Sequence, residues 1–461
     1  MPLVSIPLHL TRTHRRSRAL AWTALLLSSL SIASAFAGRP IDQPNYDLYL
    51  DRVLFDESFF PVSALWGVVA AGLVFIMHLG FATLEAGLSR APHVVSALYK
   101  NVAIICIGLL AYALCGFTTM FPGEFNGWLS WHGWMGVPTK DYYDVMTPRY
   151  DPFPWWVDFL FQAMIAAKAA AIVSGAVGER QKLLPFLIFV ALLTAVAYPV
   201  AGSWTWGKGW LYRQGFVDFA GASVVHVFGG FAALACALLL GPRIGKFDTS
   251  GKPKALPGHS LSLATIGMFV LWFGWLGFNG GSLRSAHPEL LGLVVTNTAL
   301  GGAAGGAMAL LLTPLLFKKP DVTMGINGVL SGLVAVTGGA DLLLPHHALL
   351  AGGIGGIVVV FAVITLDRLK IDDPIGAIPV HAFGGIWGTL VPAVFAQADA
   401  RWQLIGALTY AWVGFLFAFV VYGALKIGLG IRVSEEIERT GLDISVHGQE
   451  AYPVSTSQPS V

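Results

Sequence analysis

The 461-residue chain has a formal net charge of only +2, with 55% of its residues hydrophobic and 12% charged. Soluble proteins carry about twice that charged fraction, so the composition excludes an ordinary soluble domain and points to an all-α polytopic membrane protein with the lipid bilayer as its solvent. No charged surface of the kind that binds nucleic acid is implied, and the cysteines Cys106, Cys115 and Cys236 all fall inside apolar runs, so no disulfide framework is expected.

At the N-terminus, Arg12, Arg15, Arg16 and Arg18 precede the apolar run 19–36, and Ala35-Phe36-Ala37 offers a small-x-small cleavage site. Residues 1–37 therefore read as a signal peptide, with an uncleaved first span as the competing reading. Cleavage leaves 38–61 as a periplasmic segment, 62–430 as the membrane domain and 431–461 as a cytoplasmic tail. Within the domain, eleven apolar runs are long enough to span, centred near residues 75, 108, 167, 194, 230, 271, 301, 331, 357, 385 and 416. With the N-terminus outside, an odd count leaves the C-terminus in the cytoplasm. The inward loops then carry Arg90, Arg180 with Lys182, the Arg243 to Lys254 group, Lys318-Lys319, and Arg368 with Lys370. Fewer basic residues face outward, as the positive-inside bias of a cell-membrane protein requires.

One phrase occurs twice. Asp218 leads an apolar run with Gly221-Ala222, then Val225-His226 and Phe228-Gly229-Gly230; Asp373 leads another with Gly376-Ala377, then Val380-His381 and Phe383-Gly384-Gly385. At about 1.5 Å per residue each histidine lies roughly 12 Å below its aspartate, near the bilayer midplane. The fifth run enters from outside and the tenth from inside, so the phrase is inverted: runs one to five and six to ten form inverted halves, and the eleventh stands apart. A histidine at that depth is costly in lipid, and a pair at matched depth points to a shared site rather than two satisfied core residues. Asp218 and Asp373 are also good helix caps, and Pro374 suits a first helical turn. Glycines at 301, 302, 305 and 306 and at 352, 353, 355 and 356 allow close helix packing and carry no chemistry.

Five phrases resemble the ammonium transporters of the Amt/Rh superfamily, on the Amt side. They are Gly80-Phe-Ala-Thr-Leu-Glu-Ala-Gly-Leu-Ser-Arg90, Gly175-Ala-Val-Gly-Glu-Arg180, Asp218-Phe-Ala-Gly221, Trp275-Leu-Gly-Phe-Asn-Gly-Gly-Ser282, and Glu435 to Asp443 followed by His447-Gly448. The resemblance covers the chain from about Pro61 to Pro453. It implies a homotrimer with one pore per subunit, no cofactor, ammonium or ammonia as cargo, and a regulatory tail where a PII-type protein docks in some members. By position it makes His226 and His381 the pore's twin histidines, Trp206 and Ser282 with Asp218 an outer recruitment site, Phe278 a gate, and Asp373 a structural cap. A tryptophan face attracts a small cation, and a hydroxyl accepts a hydrogen bond from ammonium. Below them a narrow apolar lumen admits neutral ammonia far more cheaply than an ion.

The chain departs from that pattern in three places. Ile165 replaces a second gating phenylalanine, Gly376 stands where the family has an aspartate, and Lys168 stands where an apolar pore residue is expected. Phe161, Ile165 and Lys168 share one helix face, which the resemblance turns to the pore. Lys168 then either modifies the pore or pairs away from it, with Glu85 as one candidate partner. Two functions follow: ammonium uptake by splitting into ammonia and a proton, or an Amt-like ammonium sensor whose pore Lys168 has altered. No nucleophile, metal cluster or phosphate loop in the sequence points to an enzyme.

Overall fold

The computed structural model describes residues 59–123, 125–130 and 153–453, which fall within the unit Asp51–Val461. The expected signal peptide and nearly all of the 38–61 segment lie outside the described residues. These contain helices, turns and two isolated β-bridges, and no β-strand.

Each of the eleven apolar runs of the membrane domain forms a helix. They are α1 (Phe60–Leu88), α2 (Ala91–Met120), α3 (Trp155–Val177), α4 (Leu183–Ser203), α5 (Ala222–Leu240), α6 (Leu261–Ser282), α7 (Pro288–Phe317), α8 (Val322–Thr337), α9 (Pro345–Arg368), α10 (Pro379–Phe395) and α11 (Ala400–Gly428). Among the described residues nine are long and apolar enough to cross a membrane by length and composition, whereas α8 and α10 are shorter apolar helices. A last helix, α12 (Glu435–Thr440), belongs to the tail. The starts are set by local chemistry. Pro61, Pro288 and Pro345 sit in first turns, where a missing N–H costs nothing, and the side chains of Ser260, Asp321 and Asp399 accept hydrogen bonds from first-turn amides. Helix α3 is the most enclosed, with 94% of its apolar window buried.

Glycine fixes how the helices meet. A Cβ on Gly277 would lie 2.3 Å from Leu73 Cβ, on Gly274 2.6 Å from Leu73 O, on Gly267 2.5 Å from Leu84 N, and on Gly87 2.4 Å from Ala264 N. As residue numbers rise along α1 they fall along α6, so the two run antiparallel at backbone contact. α5 and α10 cross in the same sense: a Cβ on Gly230 would meet Ala382 N at 2.3 Å, and one on Gly385 would meet Ala222 O at 2.9 Å. The two glycine phrases of α7 and α9 also abut, since a Cβ on Gly352 or Gly356 would meet the carbonyl of Gly301 or Gly305 at 2.2 or 2.1 Å. With lipid on the outside and no hydrophobic drive between helices, such close backbone approach supplies the packing.

Candidate functional site

The repeated phrase folds twice into one device. Asp218 Oδ1 accepts the amide hydrogens of Gly221 and Ala222 at 3.1 and 2.7 Å, and Oδ2 those of Ser223 and Val224, both at 2.8 Å. Asp373 does likewise with Ile375, Gly376 and Ile378, at 3.3, 3.0 and 2.6 Å. The chain must turn sharply between aspartate and helix, which puts Gly221 at φ +101° and Gly376 at φ +80°. Only glycine takes that conformation without strain, and Asn327 fills the space beside Gly376, so an aspartate would not fit there as the chain is folded. Each helix then opens with a π turn, Ala222–Val227 and Pro379–Phe383; in the first, Gly221 O accepts from both Val225 N and His226 N. A π turn carries one extra residue and re-aims the side chains on it. Each of these holds a histidine.

His226 and His381 meet there, both buried at 3% exposure, with Nδ1 3.1 Å from Nδ1 and ring centroids 5.0 Å apart. Two Nδ1 atoms at that distance require one to donate and the other to accept, so one Nε2 carries a lone pair while the other carries hydrogen. A proton taken up at the bare Nε2, the bridging proton passed from Nδ1 to Nδ1, and a proton released from the other Nε2 together exchange the two roles. Ser223 Oγ lies 2.6 Å from Thr389 Oγ1, linking α5 to α10 beside the pair. Trp275 stacks on His226 with centroids 5.2 Å apart and donates its indole N–H to Thr337 Oγ1 at 3.0 Å; Phe278 packs against the same imidazole at 5.8 Å. Phe81 stacks on His381 at 6.1 Å.

Above the pair lies a cavity of about 300 Å³ lined by Trp206, Asp218, Ser282, Lys208, Arg284 and Asp341, among others. Trp206 donates its indole N–H to Asp218 O at 2.8 Å, and Ser282 Oγ donates to Phe278 O at 2.8 Å, which leaves the hydroxyl's lone pairs as acceptors. Burial pushes the Asp218 carboxyl up to about 6, against the pull of the amides it caps, and pushes Asp341 up to about 7. Arg284 is paired with Asp158 at the start of α3. Asp373, by contrast, lies at the opposite end of the antiparallel α5 and α10 pair, next to Asp372 and its arginines.

Glu85 does not serve Lys168. Its carboxylate accepts from Lys100 Nζ at 2.6 Å, Asn101 Nδ2 at 2.7 Å and Ser174 Oγ at 2.9 Å, because α2 brings an ammonium and an amide beside it. Ile165 and Phe161 are fully buried, and Phe161 fills the space left at Gly281 of α6. Lys168 is 3% exposed; its Nζ lies over the Phe81 ring, 5.2 Å from the centroid, with no hydrogen-bond partner. A charge there has an aromatic face worth about 2 kcal/mol when desolvated, against a desolvation cost of several kcal/mol. The aromatic face is the weaker of the two.

Three residues of this site carried no assigned role in the sequence. Trp275 shares a helix face with Phe278, three residues on, and Phe81 sits inside the first matching phrase. His78 is a third buried histidine, on α1, and its Nε2–H donates to Met164 O at 3.2 Å, one turn before Lys168. A histidine inside the first apolar run was the available signal.

The tail seals the far end. Asp443 accepts from Val95 N and Ser96 N at 2.9 and 3.0 Å, Glu438 accepts from Ile244 N at 2.7 Å and pairs with Arg432 at 2.8 Å, and Val433 N donates to Arg180 O. Beneath it Arg243 bridges Glu179 and Asp372 at 2.8 and 2.9 Å.

The model of the Ammonium Transporter Family matches residues 65–452. The chain is 40% identical over 434 residues to ammonium transporter Amt2 of Archaeoglobus fulgidus, covering 87% of this chain and 90% of that one. Its fold is similar to a solved structure described as a sensor Amt protein, with a TM-score of 0.79, 34% identity and coverage of 84% and 99%. It is also similar to Mep2 of Candida albicans, with a TM-score of 0.74, 29% identity and coverage of 84% and 89%. By the family match over most of its length and by these relatives, the chain belongs to the ammonium transporter family.

Proposed function

We propose that this membrane protein moves ammonium inward by splitting it at the vestibule and passing ammonia, with its proton, along the His226–His381 pair. The observation that supports this best is the pair itself: two imidazoles from matching positions of α5 and α10, bridged Nδ1 to Nδ1 at 3.1 Å beneath an acid-lined cavity. Ammonium enters against the Trp206 face, the Ser282 lone pairs and the Asp218 and Asp341 carboxylates. Phe278 and Ile165 then close the path to hydrated ions, because an ion stripped of water in an apolar channel costs far more than neutral ammonia. The imidazoles offer ammonia an acceptor on one Nε2 and a donor on the other, and the tautomer exchange carries a proton across.

The antiparallel contacts of α1 with α6 and of α5 with α10 support reading the eleven helices as two inverted five-helix halves plus α11. On that reading the vestibule faces outside, the tail faces the cytoplasm, and the protein sits in the cell membrane as a homotrimer whose tail surface receives a PII-type regulator. The test is the transient current evoked by an ammonium jump on purified protein in liposomes. A wild-type current abolished in His226→Ala is expected; a current that survives in His226→Ala sinks the histidine pathway.

A second reading, an ammonium sensor, is favoured by the likeness to the sensor Amt protein and by the position of Lys168. It predicts saturable ammonium binding to the wild type with neither current nor ammonia flux.

A further inference from the structure

Several of the polar side chains that line the vestibule are engaged by the protein itself. Thr205 Oγ1 shares a hydrogen bond with Tyr410 Oη at 2.8 Å, Ser282 Oγ donates to Phe278 O, four amides hold Asp218, and Arg284 is paired with Asp158. Gln162 of α3 differs. It lines the same cavity and is only 6% exposed, yet its Oε1 accepts no hydrogen bond. An unmatched buried acceptor costs stability, and an apolar side chain of equal length would fill the place without that cost. The carboxamide is free to turn: the terminal torsion of glutamine is broad and nothing grips Oε1, so rotation brings the oxygen to the cavity.

The position on α3 suits a group that meets cargo. Asp158, Gln162 and Ile165 fall at i, i+4 and i+7 and share one face of the helix. With α3 running inward, Gln162 lies roughly 6 Å deeper than Asp158, whose partner Arg284 lines the cavity, and roughly 4.5 Å short of Ile165 at the gate. A cation in the cavity therefore reaches Gln162 before the path narrows. Ammonium has four N–H donors, and each loses an acceptor when the ion leaves water. Ser282 on α6, Asp218 ahead of α5 and Asp341 between α8 and α9 offer acceptors from three elements, and Gln162 adds one from a fourth. A carboxamide oxygen binds a charged donor more strongly than a neutral one, and it takes up no proton. Such an oxygen grips ammonium, loosens on ammonia, and does not compete for the proton.

We propose that Gln162 Oε1 accepts a hydrogen bond from ammonium at the inner end of the vestibule and holds the cation ahead of the Phe278–Ile165 gate, a role that rests on the ammonium pathway described above.

The test compares full-length wild type with Gln162→Met, which keeps the length of the side chain and removes the carboxamide. Ammonium binding is read by titration calorimetry in lipid nanodiscs, with ammonium chloride as titrant and potassium chloride as the ionic control, and transport by the transient current in liposomes. The dissociation constant and the half-saturating concentration of the current should both rise at least about tenfold, the loss expected for one hydrogen bond to a charged donor. Maximal current should stay within about twofold, and Tm should not fall, because the variant sheds an unmatched acceptor and breaks no bond within the protein. A dissociation constant that does not change overturns the proposal. So does a lower Tm in Gln162→Met, even with weaker binding, since it would make the carboxamide a structural group. Failure of the pathway is distinct from failure of this role. A wild type that binds ammonium without carrying current, and binds it more weakly as Gln162→Met, upholds the acceptor and removes transport. A conducting wild type whose half-saturation ignores Gln162→Met keeps transport and removes the acceptor.

Discussion

Asp218 does two jobs that pull against each other. Four backbone amides hold its carboxylate in place, yet burial raises its carboxyl to about 6 and that of Asp341 to about 7. A raised carboxyl means that the negative charge arrives late: below pH 6 both groups favour the neutral acid, and the vestibule gains the negative charge that offsets its cations only as pH climbs through 6 and 7. Lys208 and Arg284 line the same cavity, so at low pH its net charge opposes a cation. The half-saturating ammonium concentration should therefore fall severalfold between pH 5 and 8, and Asp341→Asn should remove the upper part of that slope; a flat profile of half-saturation against pH in the wild type excludes these acids from recruitment. The same sign governs stability. The protonated, raised acids stabilise the fold most at low pH, and that contribution is lost as pH rises through their folded values. Residue identity was legible here because Asp, Gly and His recur at one spacing, each answering a backbone need. Lys168 and His78 were harder: nothing in a sequence says which face of an entirely buried helix meets which ring, and Glu85 was taken by Lys100 from a neighbouring helix.

At the scale of the element, the tail latch turns on charge burial. Burial alone would raise the Asp372 carboxyl, but the Arg180 charge and the hydrogen bonds from Arg243 hold it well below the usual carboxylate range. A depressed carboxyl contributes stability that is complete above its unfolded value and is lost only as pH falls through the lowered one, so this cluster is insensitive to physiological pH. Asp372→Asn leaves the buried Arg180 guanidinium without its carboxylate, while Arg243 keeps Glu179, and should cost about 3–5 kcal/mol, read as a lower Tm in detergent; an unchanged Tm would show that water screens the cluster. Asp443→Ala removes the cap from the start of α2 and should cost about 1 kcal/mol while raising protease cleavage after Arg432 and Arg439; equal cleavage rates would mean that Arg432 and Glu438 hold the tail alone. Helix positions were readable from hydropathy, down to the short α8 and α10. The π turns at 112–116 and 193–197 were not, since one inserted residue barely disturbs an apolar pattern that has no polar face to mark it.

Across the whole molecule, backbone contact between antiparallel helices joins fold to site. A Cβ on Gly230 would lie 2.3 Å from Ala382 N and 2.8 Å from the His381 carbonyl carbon, both main-chain atoms that no rotamer change can move. Ordinary contact needs about 3.5 Å, so Gly230→Ala must push α10 away from α5 by about 1 Å. The Nδ1 atoms of His226 and His381, now 3.1 Å apart, then pass beyond hydrogen-bonding range. Gly267→Ala produces comparable crowding, 2.5 Å from Leu84 N, but at the α1–α6 contact, away from the pair. Both substitutions should lower Tm by a similar amount, because each strains one helix crossing by overpacking worth about 1–3 kcal/mol. Their currents should differ: a displacement of about 1 Å at reacting groups costs on the order of a hundredfold, so Gly230→Ala should approach the silence of His226→Ala while Gly267→Ala conducts. If the two alanine variants lose current in step with Tm, the crossing of α5 and α10 serves stability alone, and the histidine pair tolerates more separation than a single hydrogen bond allows.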